Sequence, residues 1–422
     1  MSYDEAVSVT APAGWRALVV PRPESTTVAL QWTVDAGSRH DGDQPGLARL
    51  TAELAFGVAA PPTHPDLTAP LEALGAEGHS TTTREYVSFQ AVVAAPQREA
   101  LWTLIPALAR SPLLTDAALA RARATIAQER RERTSPSGLL GDLLIAALWG
   151  DTPFARPPDA DAASLDTLTA DQVAAFHAAH YSPTRVVLAV AGACEPAEVG
   201  SALASLTAVP TLEAAAAGAL PRPAFEGAGA YHYAVPIDVT HLAVAVPVPG
   251  MGHRDRAALR LLDYIFGRGG SSRLYRELRE SRGLAYNCSS IFMPYAHVGL
   301  FAAQARCAPE RGSEVAALLR AALLELAARA PGADELSAAQ QRYAGALYRS
   351  FETNATLVSI LSLETVLDEW EPFDQAVARV ASVTPADLAA VTARYFDPAW
   401  LVQVSVGPID PRASDVAPAS AP

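Results

Sequence analysis

An internal repeat limits the folds open to this chain more than any other feature of its sequence. Residues 169–183 are matched by residues 384–398, and both segments run into a β-rich stretch that ends in glycine, at Gly192 and Gly407. The matched positions differ by 215 throughout (384 − 169 and 407 − 192), so the alignment needs no gap. Each copy has the pattern of a threonine N-cap, a helix, an aromatic residue, a proline stop and a strand. Two ordinary helix–strand units would be the alternative, but the constant offset favours a duplication.

Strand and helix patterns follow one another in the same order around each copy. Strand patterns lie at 17–20, 27–35, 86–94, 240–248, 284–292 and 298–305. Helix patterns lie at 45–56, 67–74, 98–109, 116–133, 138–149, 254–266, 272–281, 311–328 and 335–350. We therefore expect an α+β fold of two homologous halves, each an antiparallel-rich sheet covered by helices, in a clam-like molecule with a groove between the halves.

The composition of the chain suggests where one half ends and the next begins. Residues 210–230 are rich in Ala, Gly and Pro, which is typical of a linker. We expect an N-terminal domain over 1–209, this linker, and a C-terminal domain over 231–407. Residues 408–422 are rich in Pro, Ala and Ser, and we expect them to form a disordered tail.

Charge, cysteine content and hydropathy exclude several classes of protein. The net charge is −13 and no basic block occurs, which argues against nucleic acid as a partner. The three cysteines (Cys194, Cys288 and Cys307) are too scattered for a disulfide framework, so we expect buried free thiols. The N-terminus lacks a signal-peptide pattern, and no apolar stretch reaches the ~18 residues that span a bilayer. We expect a soluble cytoplasmic protein that does not interact with membranes.

The first half contains two short motifs at the start of a helix. Asp35-Ala-Gly-Ser-Arg39 follows a strand, and Gly46-Leu47-Ala48 opens the helix. These motifs resemble the beginning of the zinc helix in pitrilysin/insulinase-type metallopeptidases, the family of insulin-degrading enzyme and mitochondrial processing peptidase. In that family the helix carries H-x-x-E-H. Its two histidines lie four residues apart on one face and reach one metal, while the glutamate acts as a base toward the zinc-bound water.

The corresponding helix in this chain lacks those groups. Arg49 occupies the first histidine position, Ala52 the position of the general base, and Glu53 the second histidine position. The resemblance also matches Glu129, within T-I-A-Q-E-R, to the family's third ligand, a glutamate on a later helix. An arginine repels a cation, and an alanine cannot accept a proton. We therefore expect a degenerate zinc site without metal, in which Arg49 pairs with Glu53 and Glu129; a weak surviving metal site is the alternative.

His177 and His180 are the other candidates for zinc ligands. They lie three residues apart on a predicted helix, with no cysteine or glutamate close by in the sequence. We interpret them as surface or half-buried histidines and expect no cofactor in this chain.

The segment that most specifically matches the family lies in the second half, from Gly267 to Tyr286. This segment resembles the Gly-rich turn, the S-S-R-L helix and the R-G-L-A-Y strand start of the same family. Its sequence is GRGGSSRLYRELRESRGLAY. Ser271 or Ser272 can cap the helix. The i, i+4 spacing predicts two ion pairs along it, Arg273–Glu277 and Arg276–Glu280.

Arg279 and Tyr286 match the substrate-contacting Arg/Tyr pair of the family. The resemblance implies that the Tyr286 hydroxyl donates a hydrogen bond to the oxyanion of a tetrahedral intermediate, and that Arg279 holds a substrate carbonyl or carboxylate. The alternative is an arginine in a helix-surface ion-pair ladder and a tyrosine that packs at the start of a strand.

The retained and missing groups together suggest a function. The resemblance implies a non-catalytic, substrate-binding subunit of a heterodimeric zinc metalloendopeptidase, in which a homologous H-x-x-E-H-bearing partner supplies the zinc and an edge strand for a peptide substrate. Trimming of leader peptides is one candidate reaction by family analogy. The alternatives are a structural subunit of the same fold and a stand-alone peptide-binding protein.

Overall fold

The structure is a computed structural model that describes residues 6–56, 68–133, 135–206, 224–285, 287–367 and 371–412. Most of the expected linker, the expected tail beyond residue 412, and Tyr286 lie outside the described residues. Within the described ranges, no helix combines the length and the apolar character that a membrane crossing requires.

The strands fall into two separate sheets. They are β1 (Val7–Thr10), β2 (Arg16–Pro21), β3 (Thr27–Val34), β4 (Glu77–Thr82), β5 (Val87–Ala94), β6 (Val186–Gly192), β7 (Gly229–Ala234), β8 (Thr240–Pro249), β9 (Asn287–Pro294), β10 (Val298–Cys307) and β11 (Val402–Gly407).

Helices surround both sheets. They are α1 (Leu47–Phe56), α2 (Thr68–Ala73), α3 (Arg98–Trp102), α4 (Ile105–Leu108), α5 (Asp116–Arg133), α6 (Pro136–Trp149), α7 (Ala162–Thr167), α8 (Ala170–His180), α9 (Pro196–Ala204), α10 (Arg256–Phe266), α11 (Arg273–Tyr275), α12 (Gly312–Ala328), α13 (Ala333–Ser350), α14 (Asn354–Val366), α15 (Phe373–Ser382) and α16 (Pro385–Tyr395). A π-helix, Arg276–Ser281, continues α11.

The chain forms two compact units, and each unit includes a segment from the other half of the sequence. Unit 1 comprises Met1–Glu132, Arg156–Pro221 and Leu347–Gln375, and unit 2 comprises Arg133–Ala155, Arg222–Ala346 and Ala376–Pro422. Helix α6 therefore belongs to unit 2 and α14 to unit 1. This division differs from the contiguous domains 1–209 and 231–407 that the repeat suggests, and the last linker positions, 229 and 230, belong to β7.

In unit 1 the strand order is β1-β2-β6-β3-β5-β4, with only β2 and β6 parallel among the recorded pairs. One face packs an apolar core that includes Trp15, Trp32 and Leu50. The other face carries α14. There Gln31 on β3 donates hydrogen bonds to Thr33 and to Ser362 on α14, so this helix docks through buried polar contacts that are satisfied.

In unit 2 the strand order is β7-β11-β8-β10-β9. Helices α10, α12 and α16 form the core on one face. On the other face α6 packs its leucines and Trp149 against alanines and valines of β8 and β11. The apolar face of this sheet matches the leucines of α6, and the polar face of the unit 1 sheet matches the serines of α14. This match explains why each helix packs on the sheet formed mainly by the other half of the sequence.

The two sheets confirm the predicted duplication. Five neighbouring strands of the unit 1 sheet, in the order β2-β6-β3-β5-β4, correspond to the five strands of the unit 2 sheet, in the order β7-β11-β8-β10-β9. The parallel and antiparallel pairs are the same in both. The repeat itself places Thr169 and Thr384 as N-caps of α8 and α16, each in a capping box with the residue three positions on (Gln172 or Asp387).

Candidate functional site

The start of helix α1 is fixed by hydrogen bonds from its own first turn. Asp41 Oδ2 accepts the backbone N–H of Gly46 at 2.8 Å, and Oδ1 accepts that of Ala48 at 2.8 Å. Gly46 has φ of +89°, and a side chain there would meet the Cβ of Ala160 at 2.6 Å. The backbone therefore requires glycine at position 46, and the two hydrogen bonds to Asp41 fix where α1 begins.

Arg49 on α1 lies at the centre of an ion-pair cluster. Its Nη1 donates to Glu53 Oε2 at 2.9 Å and its Nη2 to Glu129 Oε2 at 2.7 Å, so both expected ion pairs are present. A third carboxylate, Asp159, lies 3.5 Å from the Arg49 Nε. The side chains of Arg49 and Glu53 are only 5% and 6% exposed, whereas Glu129 is 35% exposed. The guanidinium therefore joins α1, α5 and the loop before α7.

Asp159 could not be identified from the sequence. It lies in a loop that follows two prolines, where no periodicity predicts the direction of a side chain. Arg130 Nη1 donates to the backbone carbonyl of Asp159 at 2.8 Å and holds this loop against α5.

The electrostatics of the cluster favour a charged guanidinium. Burial alone would lower the pKa of Arg49, but the negative charges and hydrogen bonds of Glu53 and Glu129 outweigh this effect and raise it. Ala52, which the sequence resemblance matches to the family's general base, is fully buried and has no proton acceptor on its side chain. These groups do not fit a zinc ion, because a cation fills their centre. Among the described residues, no three His, Cys, Asp or Glu side chains are grouped to hold a metal.

His177 and His180 are buried, so the expectation of surface or half-buried histidines was wrong. The ring of His177 stacks on Tyr181 with centroids 4.4 Å apart, and that of His180 stacks on Phe176 at the same distance. Burial lowers the pKa of His177 to about 4 and that of His180 to about 3, where nearby His40 contributes as well. Both rings are therefore neutral core groups at neutral pH.

Asp35, at the end of β3, forms a second charged cluster before α1. Its Oδ1 accepts hydrogen bonds from Arg39 and His40, both at 3.1 Å, and Arg185 Nη2 lies 3.7 Å from its Oδ2. Burial would raise the pKa of Asp35, but His40 and the two arginines outweigh it and hold the pKa well below its usual range. The sequence signal was the D-A-G-S-R motif itself, whose charged ends face each other and fix the segment that leads into α1.

Arg279 lies on the π-helix of unit 2. Its Cζ lies 5.0 Å from the centroid of the Tyr275 ring, a cation–π contact that orients the half-buried guanidinium. Helices of this type are rare and are frequent at functional sites. Because Tyr286 lies outside the described residues, its role remains the prediction made from the sequence.

The ion pairs predicted along this helix were wrong in their partners. Arg273 forms a double hydrogen bond with Glu335 on α13, at 2.8 and 2.6 Å, while Glu277 pairs with Arg282 at 2.7 Å. The widened π-helical turn explains the pairing of Glu277 with Arg282, because it brings residues five apart, rather than four, onto one face. Ser272 is the N-cap, and its hydroxyl accepts from the N–H of Tyr275 at 3.4 Å.

A buried aspartate anchors the Gly-rich turn to strand β9. Asp263 is fully buried, and its carboxylate accepts from the Ser290 hydroxyl and from Arg268 Nε, both at 2.5 Å. A side chain at Gly267 would meet the backbone nitrogen of Ser290 at 2.1 Å, so only glycine permits this approach. The sequence did not predict the buried contacts of Asp263, because an aspartate within an amphipathic helix is expected to be exposed to solvent.

Comparisons with known proteins agree with this geometry. The model of "Insulinase (Peptidase family M16)" matches residues 16–158, and the model of "Peptidase M16 inactive domain" matches residues 167–343. An uncharacterized zinc protease of Streptomyces coelicolor is 28% identical over 400 residues, which cover 90% of this chain and 85% of that protein. Bovine mitochondrial cytochrome b-c1 complex subunit 1 is 26% identical over 294 residues, which cover 65% of this chain and 60% of the subunit.

A solved structure supports the same relationship. The peptidase M16 inactive domain from Pseudomonas fluorescens superposes with a TM-score of 0.84 at 25% identity, and the match covers 96% of this chain and 99% of that one. The two family models together account for most of the sequence, in chain order and with the sheet of each unit represented. This chain belongs to the insulinase family of peptidases, family M16.

Proposed function

We propose that this chain is the non-catalytic, substrate-binding subunit of a heterodimeric zinc metalloendopeptidase. The observation that carries the proposal is the guanidinium of Arg49, which lies between the carboxylates of Glu53 and Glu129 where the family's helix would present zinc ligands. In this reading the four residues Arg49, Ala52, Glu53 and Glu129 form a degenerate zinc site. The chain then contributes binding groups rather than a metal centre.

Charge explains why the chain would not act alone. Two unit charges about 4 Å apart interact by roughly 4 kcal/mol at the effective dielectric near a protein surface, so a divalent cation beside Arg49 would be repelled by about twice that. Binding zinc would also require Glu53 and Glu129 to exchange their guanidinium partner for the metal. Even with metal bound, the alanine at position 52 would leave no base on this helix to activate water.

The second half supplies the groups that the proposal assigns to substrate. Arg279 would hold a carbonyl or carboxylate of an extended peptide, and Tyr286 would donate its hydroxyl to the oxyanion that forms in the partner's active site. The partner would be a homologous subunit that carries H-x-x-E-H and the zinc. We include leader-peptide processing in the cytoplasm as the candidate setting, by analogy with the family.

A structural subunit is the second candidate, and one specific observation favours it. The bovine relative is named as a subunit of the cytochrome b-c1 complex, so the family includes chains that are components of larger assemblies. The proposal of a peptidase subunit rests on the retained Arg279 and Tyr286, which an architectural role would not need.

Co-purification tests the proposal. The tagged chain, isolated from its own cells under mild conditions, should carry a second M16 chain with an intact H-x-x-E-H motif. The pair should contain zinc and hydrolyse a peptide library, whereas the tagged chain alone should do neither. Isolation without such a partner, or as a component of a larger complex that has no peptidase activity, would leave the structural role in its place.

A further inference from the structure

A cleft of about 350 Å³ lies in unit 2, on the face of the sheet that α6 covers. The start of α6 forms one wall, and the neighbouring ends of β8, β9 and β10 form the other. The polar side chains that line it are Ser137, His241, Asn287, Ser289, Gln304 and Arg306. No role proposed above uses any of these residues.

The strand register brings these side chains together in two rows. Arg306 on β10 lies directly between Asn287 on β9 and His241 on β8. Two residues along, Gln304 is opposite Ser289, to whose hydroxyl it donates at 2.9 Å. Because side chains two residues apart on a strand share a face, both rows point into the same cleft. The apolar contacts of α6 cover the rest of this face, so the polar rows occupy the end that the helix leaves open.

The cleft contains a positive charge and no negative one. Arg306 is exposed and forms no ion pair within the part of the chain that the structure describes, and no carboxylate belongs to the lining. Burial and the neighbouring Arg306 lower the pKa of His241, so its ring is neutral at neutral pH and can still donate one hydrogen bond. Hydroxyl and amide groups add further donors. Such a set fits a planar carboxylate, which arginine binds with two parallel hydrogen bonds.

We infer that this cleft is a subsite that binds an acidic side chain of an extended peptide. The assignment of a peptide rests on the proposed function, because Asn287 directly follows Tyr286 in the sequence and the cleft begins at that residue. The subsite therefore selects for Glu or Asp in a bound peptide.

Equilibrium binding to the isolated chain tests the subsite without a catalytic partner. The probes are three fluorescently labelled, extended peptides that differ only by Glu, Gln or Lys at one position. Fluorescence anisotropy should show tighter binding of the Glu peptide by roughly tenfold or more, the range expected for a charge-assisted hydrogen bond. Arg306→Gln should abolish this preference, and Arg306→Glu should reverse it in favour of a peptide with Lys at that position. Arg254→Gln is the matched control, since Arg254 is an 80% exposed arginine of the same unit.

Each outcome decides the question. Equal affinity for the Glu and Gln peptides, or a preference that survives Arg306→Gln, would overturn the subsite. Acetate that displaces the Glu peptide at equal concentration would also overturn it, because the cleft would then be a general anion site rather than a peptide subsite. A Glu preference that depends on Arg306 would stand even if no zinc-bearing partner were found, so failure of the heterodimer proposal is a separate result.

Discussion

Arg49 donates a 2.9 Å hydrogen bond to Glu53, one turn further along the same buried helix. The resemblance to the family matches these two residues to the histidine positions of the zinc helix, and we propose that the Arg49 guanidinium takes the place of a bound metal cation. Glu129, the carboxylate matched to the third ligand, keeps a cationic partner through the same guanidinium. On this proposal, the positive charge of Arg49 is shared by the carboxylates of Glu53 and Glu129, and no metal is needed.

Arg49→Ala should strongly destabilise unit 1. Removing one partner of a buried ion pair leaves an uncompensated charge, here on Glu53, and we expect a loss of about 3–5 kcal/mol in the free energy of unfolding. The measurement is urea unfolding followed by circular dichroism. Arg329→Ala is the control, because the Arg329–Glu325 pair is mostly exposed, and its loss should change stability by less than about 1 kcal/mol. Similar losses in both variants would contradict a buried cluster.

Restoring the motif should restore metal binding. The triple variant Arg49→His, Ala52→Glu, Glu53→His rebuilds H-x-x-E-H and leaves Glu129 as the third ligand. We expect about one zinc per chain in this variant and no stoichiometric zinc in the unaltered chain, as measured by elemental analysis after mild chelation. Adding Glu129→Gln to the triple variant should weaken retention. Zinc retained at about one per chain by the unaltered protein would overturn the reading of a degenerate site.

His177 should make the fold less stable in acid. Its pKa is about 4 in the folded protein and about 6.5 when unfolded, so the unfolded chain binds more protons between these values. The contribution of His177 to stability is therefore fully present above about pH 6.5 and falls as the pH drops toward 4, by roughly 3 kcal/mol in total. Unfolding by urea across this range should show a weaker pH dependence for His177→Gln than for the unaltered chain. His79→Gln, at an exposed position of β4, should leave the dependence as it is.

The two N-caps of the repeated segments should contribute equally to the stability of the fold. Thr169→Ala and Thr384→Ala each remove an N-cap hydroxyl in a capping box, and each should cost about 1 kcal/mol. Thermal unfolding of the two variants provides the measurement. Thr167→Ala, which removes an exposed hydroxyl outside any cap, serves as the control and should have little effect. A cost at only one of the two caps would show that the repeated segments are not energetically equivalent.

The repeat and the family motifs predicted much of the fold, because both depend on local sequence. The offset between Thr169 and Thr384 predicted two similar sheets, and the spacing of Arg49 and Glu53 predicted their contact. The short strands β1, β4 and β7 were missed, since the exposed residues of such edge strands lack a clear apolar alternation.

The sequence did not predict contacts between residues that are far apart along the chain. The leucines of α6 and the serines of α14 match the faces of their sheets, but the strands that form those faces lie far away in the sequence, so the sequence pattern alone did not predict either contact. The contact of Asp159 with Arg49 depends on a loop, and the contact of Asp263 with Ser290 depends on a close approach at Gly267. Each of these contacts is set by tertiary packing rather than by residues near in sequence.

The substrate-binding role in the proposed function depends most directly on one hydroxyl group, that of Tyr286. Tyr286→Phe removes a hydrogen-bond donor and almost no volume, so folding and heterodimer formation should be unchanged. Arg279→Ala should act more on the substrate's KM, because it removes a contact that forms before chemistry. Tyr233→Phe, at an exposed tyrosine of β7, is the matched control and should retain full activity.

Steady-state peptide hydrolysis by the reconstituted pair is the decisive measurement. If the Tyr286 hydroxyl stabilises the oxyanion, Tyr286→Phe should lower kcat by about a hundred- to a thousandfold, or about 2.7–4 kcal/mol, with an intact complex by size-exclusion chromatography. Unaltered rates for Tyr286→Phe and Arg279→Ala would contradict the account and leave a structural subunit as the function of this chain.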